Sequence, residues 1–419
     1  MKLYSKIFLV IFVALSQCYI FPQTSSSYTR IGIGDLVYTY SGRRFAMGQL
    51  GSSVIDKDYI SLLNPASLTG IQSTRTEFGM KYTGLFLQNN SASSFSSNTD
   101  FSGVTLAIPI SQNHGIVLAM GLLPYSNVSY KEENIVNSGF SDIGYYKATY
   151  EGNGGLSKIF LGTSFRFPFD VSIGATMDYY FGNLNYLSTI EFPNNTEYNK
   201  SEFDTRFRPH GFGATIGLIS PDLAGIFNSE AITNFRVGAA FNFKSRLETD
   251  SSLIITSTLG VDSLNSSTIY LDLPYRFSAG ASFILNNNYL FTFDYSYQPW
   301  SEYKLGNIKN ANLSDSYKLS SGFEYRRESS INDSFWEQMI WRMGLSFEQT
   351  QYKISGQSIK EYSIMGGFTI PLSYQNTIDV GIQYALRGTT DLNLFKENII
   401  KLSVGISLGE LWFIRRDQN

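Results

Sequence analysis

His114, His210 and Cys18 are the only histidines and cysteine in the sequence, and they bound the chemistry it can perform. A lone cysteine excludes an internal disulfide and any multi-cysteine metal site, and two histidines cannot build a His-rich zinc centre. Hydrolysis through a Ser/His or Asp/His constellation would have to use one of those histidines. His114 falls in a short predicted turn. His210 has Asp204 on its own segment but no evident serine partner. The expectation is a protein that is not an enzyme and has no metal and no cofactor. A balance of 32 Lys+Arg against 35 Asp+Glu gives a net charge of −3, without the basic field that nucleic-acid binding needs.

Five other charges stand out because they interrupt apolar segments: Asp178, Arg276, Asp294, Asp379 and Arg387. Each occupies the polar phase of an alternating run, so each is expected to face an interior lumen, either as one half of an ion pair or as a ligand group. Arg276 and Arg387 are the better ligand candidates, because a guanidinium fork matches a carboxylate.

The elements that must carry these residues are strands. In 171–181, Val171, Ile173, Met177 and Tyr179 alternate with Ser172, Gly174, Thr176 and Asp178. The same period of two recurs in 275–283, 291–298, 378–386 and 400–408. Only 16% of residues are charged while 15% are aromatic, against about 25% charged in an ordinary soluble domain. Short turns near 111–114, 168–170, 286–288 and 374–376, with longer ones near 220–232 and 329–337, alternate with polar loops at 88–100, 127–142, 187–202, 249–273, 302–315, 351–360 and 389–397. That division gives fourteen strands between 75 and 410. An even number of strands, with short turns at one end and long loops at the other, describes an all-β, antiparallel transmembrane β-barrel of the outer-membrane kind. Tyr297, Trp300, Trp341 and Trp412 are expected in its interfacial aromatic girdles.

The remaining segments frame the barrel, assigned to 73–414. Lys2 and Lys6 precede the apolar run Ile7–Leu15, too short to span a bilayer as a helix. Residues 1–23 therefore read as a signal peptide, cut after Cys18 or near Gln23, with a lipid anchor on Cys18 as the alternative. Residues 24–72 lack alternation but carry Leu62, Leu63 and Leu68. They are expected to form a hatch in the lumen rather than a loose tail. Wall breaks are expected at Pro124, at Gly154 and Gly155, and near Pro209 and Gly211. In the last case the apolar parity slips from Phe203 and Phe207 to Phe212, Ile216 and Leu218, which suggests a bulge.

Ala46-Met47-Gly48 and Leu63-Asn64-Pro65-Ala66 ahead of the first strand, Leu273 to Gly280 with Asp294 to Ser301, and Gly152-Asn153-Gly154-Gly155 together make the chain resemble the FadL-type outer-membrane transporters of long-chain fatty acids and other hydrophobic compounds. The PorV-like barrels of type IX secretion systems are similar in the same region. The resemblance implies a fourteen-stranded barrel plugged by an N-terminal hatch whose turn is held by Asn64, Pro65 and Ala66. It also implies passive uptake of a hydrophobic small molecule, with lateral exit into the membrane. The implied setting is the Gram-negative outer membrane, as a monomer among its lipids. The alternative is a secretion-system or structural barrel acting through protein partners.

Overall fold

In the computed structural model the described residues are 26–410, apart from 91, 138–143, 194–199, 258–259, 327–333, 374 and 392–393. The expected signal peptide and Trp412 lie outside them. One continuous antiparallel sheet is wound from fourteen strands. They are β1 (Thr74–Gln88), β2 (Ser93–Ser111), β3 (Ile116–Pro124 continued by Ser126–Asn137), β4 (Tyr145–Arg166), β5 (Ser172–Glu191), β6 (Ser201–Ile219), β7 (Ile232–Asn242 continued by Ser245–Ser257), β8 (Gly260–Leu273 continued by Arg276–Leu285), β9 (Tyr289–Gln298), β10 (Ser316–Tyr325), β11 (Ile340–Ile354), β12 (Gln357–Pro371), β13 (Thr377–Gly388) and β14 (Lys396–Glu410). Pairing of β1 with β14, from Thr74↔Glu410 to Gln88↔Lys396, closes the cylinder and leaves no sheet edge at the seam.

The alternation sorts residues as a barrel requires. Outward positions such as Phe78, Met177, Phe212 and Ile382 are exposed, whereas the inward Ser172, Thr176 and Asp178 are buried. Large apolar groups on the outside and polar groups in the bore are the reverse of a soluble sandwich. Among the described residues no helix is long and apolar enough to cross a membrane; the barrel crosses with strands.

Several predicted loops are strand. Ser93–Ser111 runs through 88–100, the β7–β8 hairpin fills most of 249–273, and β11 and β12 meet across 355–356. Above the apolar belt both faces of a strand are polar, so the alternation fades although the ladder continues. Trp300 is not in a girdle. It is 1% exposed, inside the bore with Tyr303 and Leu313 from the β9–β10 connection, against Tyr125, Tyr180 and Leu247 of the wall. Trp341 does face outward.

The expected bulge at Pro209 and Gly211 is absent from β6. Its pairing with β5 keeps one register from Ser172↔Ile219 to Ile190↔Ser201. Odd residues point inward throughout: Phe207 packs against the apolar cluster in the bore, while Phe212, Ile216 and Leu218 face out at the apolar belt. The parity of the sequence slips because the apolar surroundings change sides along the strand. The extra residue sits in β7, between Thr215↔Asn242 and His210↔Glu248.

Candidate functional site

Residues 26–73, including a short helix Gly42–Ala46 and the 3-10 turns Ser27–Arg30 and Pro65–Gly70, bond to inward-facing residues of strands all round the cylinder. Asn64 is the N-cap of the second 3-10 turn. Its Oδ1 accepts from the Ala66 amide at 3.0 Å, and Pro65 at the first position surrenders no needed donor. The Asn64 Nδ2 donates to the carbonyls of Ser52 at 2.6 Å, Leu218 at 3.1 Å and Ala239 at 3.2 Å, the last two in β6 and β7. One side chain thus ties two parts of the segment to two strands.

Charge does the same elsewhere. Arg43 lies between Asp56 at 2.6 Å and Glu324 of β10 at 2.8 Å, and Glu324 also accepts from Arg342 at 2.7 Å. Arg342 continues to Asp379 at 3.1 Å. Arg387 bridges Asp35 at 2.8 Å, Glu397 and the Ser26 hydroxyl. Asp294 accepts from the Ser52 amide at 2.7 Å and Asp178 from Lys158 at 3.0 Å. Four of the five charges singled out in the sequence are therefore engaged inside the bore. Arg276 differs: its Nε donates to Gln298 at 3.1 Å, but one terminal nitrogen has no partner among the described residues. Of the two candidate arginines it alone keeps a donor for a ligand.

Among the described residues the wall is split between β2 and β3. Their ladder ends at Val104↔Leu122, and both strands carry an extra residue there: Ser102 in β2, and Tyr125 in β3, where the pairing with β4 steps from Pro124↔Ser157 to Val128↔Gly154. Gly154 and Gly155 lie opposite that bulge with φ of 116° and 151°. A Cβ on Gly155 would stand 2.2 Å from the Ser126 carbonyl, so only glycine lets β3 swing inward so closely. Pro124, Gly154 and Gly155 thus meet at one place, whereas Pro209 and Gly211 keep an unbroken register with β5, with Gly211 beside the extra residue of β7. The freed edge of β3 is taken by the N-terminal segment: Asp35 pairs with Asn127, Leu36 with Ser126, and the Val37 amide donates to the Tyr125 carbonyl at 3.0 Å. The outward residues beside the split, Met80, Tyr82, Phe95 and Phe101, belong to the apolar belt.

Behind the split lies a cavity of about 80 Å³ between the segment and β3 to β8, lined among others by Tyr38, Tyr40, Leu123, Tyr125 and Arg276. Sequence reasoning missed Arg44 in its lining, and Tyr125 at the bulge. The first sits in an irregular segment with no period to assign it a face, and the second follows a proline that already accounted for the break. For the enzymatic alternative, Asp204 is ion-paired with Arg206 rather than with His210, and His114 contacts Ser111 at 3.2 Å in a turn. Among the described residues no group of three His, Cys, Asp or Glu could hold a metal.

A family model described as BamG matches residues 4–419. No curated protein matches the sequence. Similar solved structures include the toluene transporter TodX of P. putida, with a TM-score of 0.60 and 16% identity over 89% of this chain and 99% of that one. The Ralstonia pickettii toluene transporter TbuX gives 0.58 and 15% over 89% and 99%. A Pseudomonas aeruginosa FadL homologue gives 0.59 and 12% over 89% and 98%. At these identities the likeness establishes the fold, a barrel of the FadL kind.

Proposed function

The chain belongs to the BamG family, and from that premise and its FadL-like barrel we propose an outer-membrane protein that passes hydrophobic small molecules, without chemistry, from the bore sideways into the membrane. The observation that carries this reading is the split between β2 and β3. It opens at the level of the apolar belt, its β3 edge is closed by the N-terminal segment, through Asp35 to Val37 and through Ser26 and Thr29 on the Ser129 backbone, and it faces the cavity. An unpaired strand edge in lipid costs several kcal/mol per backbone group, so such a split persists only where something shields it. The N-terminal segment is the shield and the hatch, with Asn64, Pro65 and Ala66 as its anchor. An apolar solute gains about 0.8 kcal/mol per buried CH₂ on leaving water, so lateral release into acyl chains is downhill. The solved relatives named for toluene transport support an aromatic or alkyl cargo.

In its present state the cavity is smaller than the void of about 150 Å³ that takes up benzene, so passage requires Leu36 to Tyr40 to withdraw. Tethering them tests this. Leu36 and Ser126 are directly paired, at a separation suited to a disulfide. In Leu36→Cys with Ser126→Cys, oxidation is expected to stop uptake of radiolabelled toluene by proteoliposomes, and reduction to restore it. Uptake indifferent to oxidation would refute lateral passage.

The filled bore favours a second reading. Trp300, Tyr303 and Leu313 occupy its loop end as a packed core, as suits a barrel that docks protein partners through its loops and carries nothing. A stoichiometric partner on purification in mild detergent, without bound lipid or hydrocarbon, would favour it.

A further inference from the structure

The lining of the cavity behind the split includes three cationic side chains, Arg44, Lys158 and Arg276, and no Asp or Glu. Lys158 is matched by Asp178. The two arginines have no ion-paired carboxylate among the described residues; Asp56, Glu324 and Asp294 act on Arg44, and Glu348 on Arg276, only from a distance. Arg44 is 4% exposed, and none of its three guanidinium nitrogens has a hydrogen-bond partner among the described residues. One terminal nitrogen of Arg276 is in the same position. A buried cation without a hydrogen-bonded counter-charge is costly, and two of them lining one small cavity is not an arrangement that packing alone would retain.

We propose that this cavity is a binding site for one small oxyanion, a carboxylate or phosphate group, held between Arg44 of the N-terminal segment and Arg276 of β8.

The surroundings shape both arginines for that task. The Arg276 guanidinium lies against the rings of Tyr38 and Tyr125, at 5.3 and 5.4 Å from their centroids, which fixes its plane and leaves its edge for an acceptor. Arg44 rests on the backbone of Gly51, where a Cβ would stand 2.9 Å from its terminal nitrogen. Burial and the adjacent Arg43 push Arg44 down to about 10, so it is still cationic at neutral pH. Thr215 and Asn242 add polar groups to the lining. The cavity, about 80 Å³, admits a phosphate or the head of an amphiphile but not an alkyl tail. A bound oxyanion would bridge the segment to the wall and hold the segment in the split. This inference does not depend on the transport reading, since a docking barrel could use the same clasp.

The full-length protein in a non-ionic detergent, purified without phosphate, is titrated calorimetrically with inorganic phosphate and with acetate at constant chloride. Expected is one site per chain. Arg44→Gln and Arg276→Gln should each weaken it at least ten-fold, and Arg246→Gln, on the exposed surface, should leave it unchanged. Native mass spectrometry of the same sample separates the sources: a co-purified anionic amphiphile that must be stripped before phosphate binds identifies a head group, and an empty chain that binds phosphate directly identifies the free ion. Should Arg44→Gln not fold, the wild-type titration and Arg276→Gln decide. Absence of any bound anion together with no phosphate or acetate binding, or binding that survives Arg276→Gln, would overturn the proposal.

Discussion

Asn64 concentrates in one side chain what holds the N-terminal segment to the wall. Its amide donates to three carbonyls and its oxygen caps a turn. Truncation to alanine leaves those buried partners unsatisfied, at about 1–3 kcal/mol for each group that water cannot reach. Asn64→Ala should therefore leave the barrel folded by heat-modifiability on gels while amide exchange across 50–68 accelerates at least ten-fold. Exchange unchanged from wild type would show that Pro65 and the apolar contacts suffice. Asp56 makes a second prediction at this scale. Burial would raise it, but Arg326 and Arg43 outweigh that and hold its carboxyl well below the usual carboxylate range. A depressed folded value means stability that is complete above the unfolded pKa of about 3.9 and lost as pH falls toward the folded one. Exchange protection of 54–60 should thus be flat from neutral pH to about 4 and fall only in stronger acid, and Asp56→Asn should remove that dependence. Loss of protection already at pH 5 to 6 would exclude Asp56 as its cause.

At the scale of elements, what the sequence disclosed depended on whether an environment repeats. Strands whose outward face meets lipid, such as Ser172–Glu191 in its lower half, announce themselves by period two. Their upper halves do not, because polar residues face both ways there. At Pro209 the pattern misled for the same cause: Phe207 belongs to a core inside the bore and Phe212 to the belt outside, on a strand that keeps one register with β5. Pro124 and the Gly154–Gly155 pair were legible because backbone chemistry, not periodicity, marks a bend. Arg43 and Glu324 were not, since their meaning lies in a contact 281 positions apart. Close packing of segment on strand also yields a prediction. A Cβ at Gly217 of β6 would stand 1.9 Å from the Asn64 Oδ1. Gly217→Val, itself a good strand residue, should keep the barrel yet displace Asn64, reproducing the fast exchange of Asn64→Ala. If the two substitutions are combined, the effects should not add, because both remove one contact.

The whole molecule is a cylinder filled by two interiors of different kinds. Toward the turn end the segment and wall share the ionic chain of Asp56, Arg43, Glu324, Arg342 and Asp379. Toward the loop end Trp300, Tyr303 and Leu313 form an apolar core with the wall, to which the segment adds Ile33, with Ile31 and Leu36 packed against it. The two respond differently to removal of residues 26–72. The apolar core, built mainly from residues after 120, has most of its contacts intact. The ionic half loses Arg43 and Asp56, leaving Glu324, Arg342 and Asp379 facing an empty bore, and groups so exposed recruit water. Barrels of 16–18 strands enclose aqueous channels and those of about eight are filled by their own side chains, so a fourteen-stranded wall needs its filling to be tight. The full chain is expected to be silent in planar bilayers. The chain lacking 26–72 should conduct if the segment is the seal, in steps that grow with salt concentration. Equal silence from both would assign the seal to the Trp300 core. In that event Trp300→Ala in the shortened chain, which removes the largest side chain of that core, should open it.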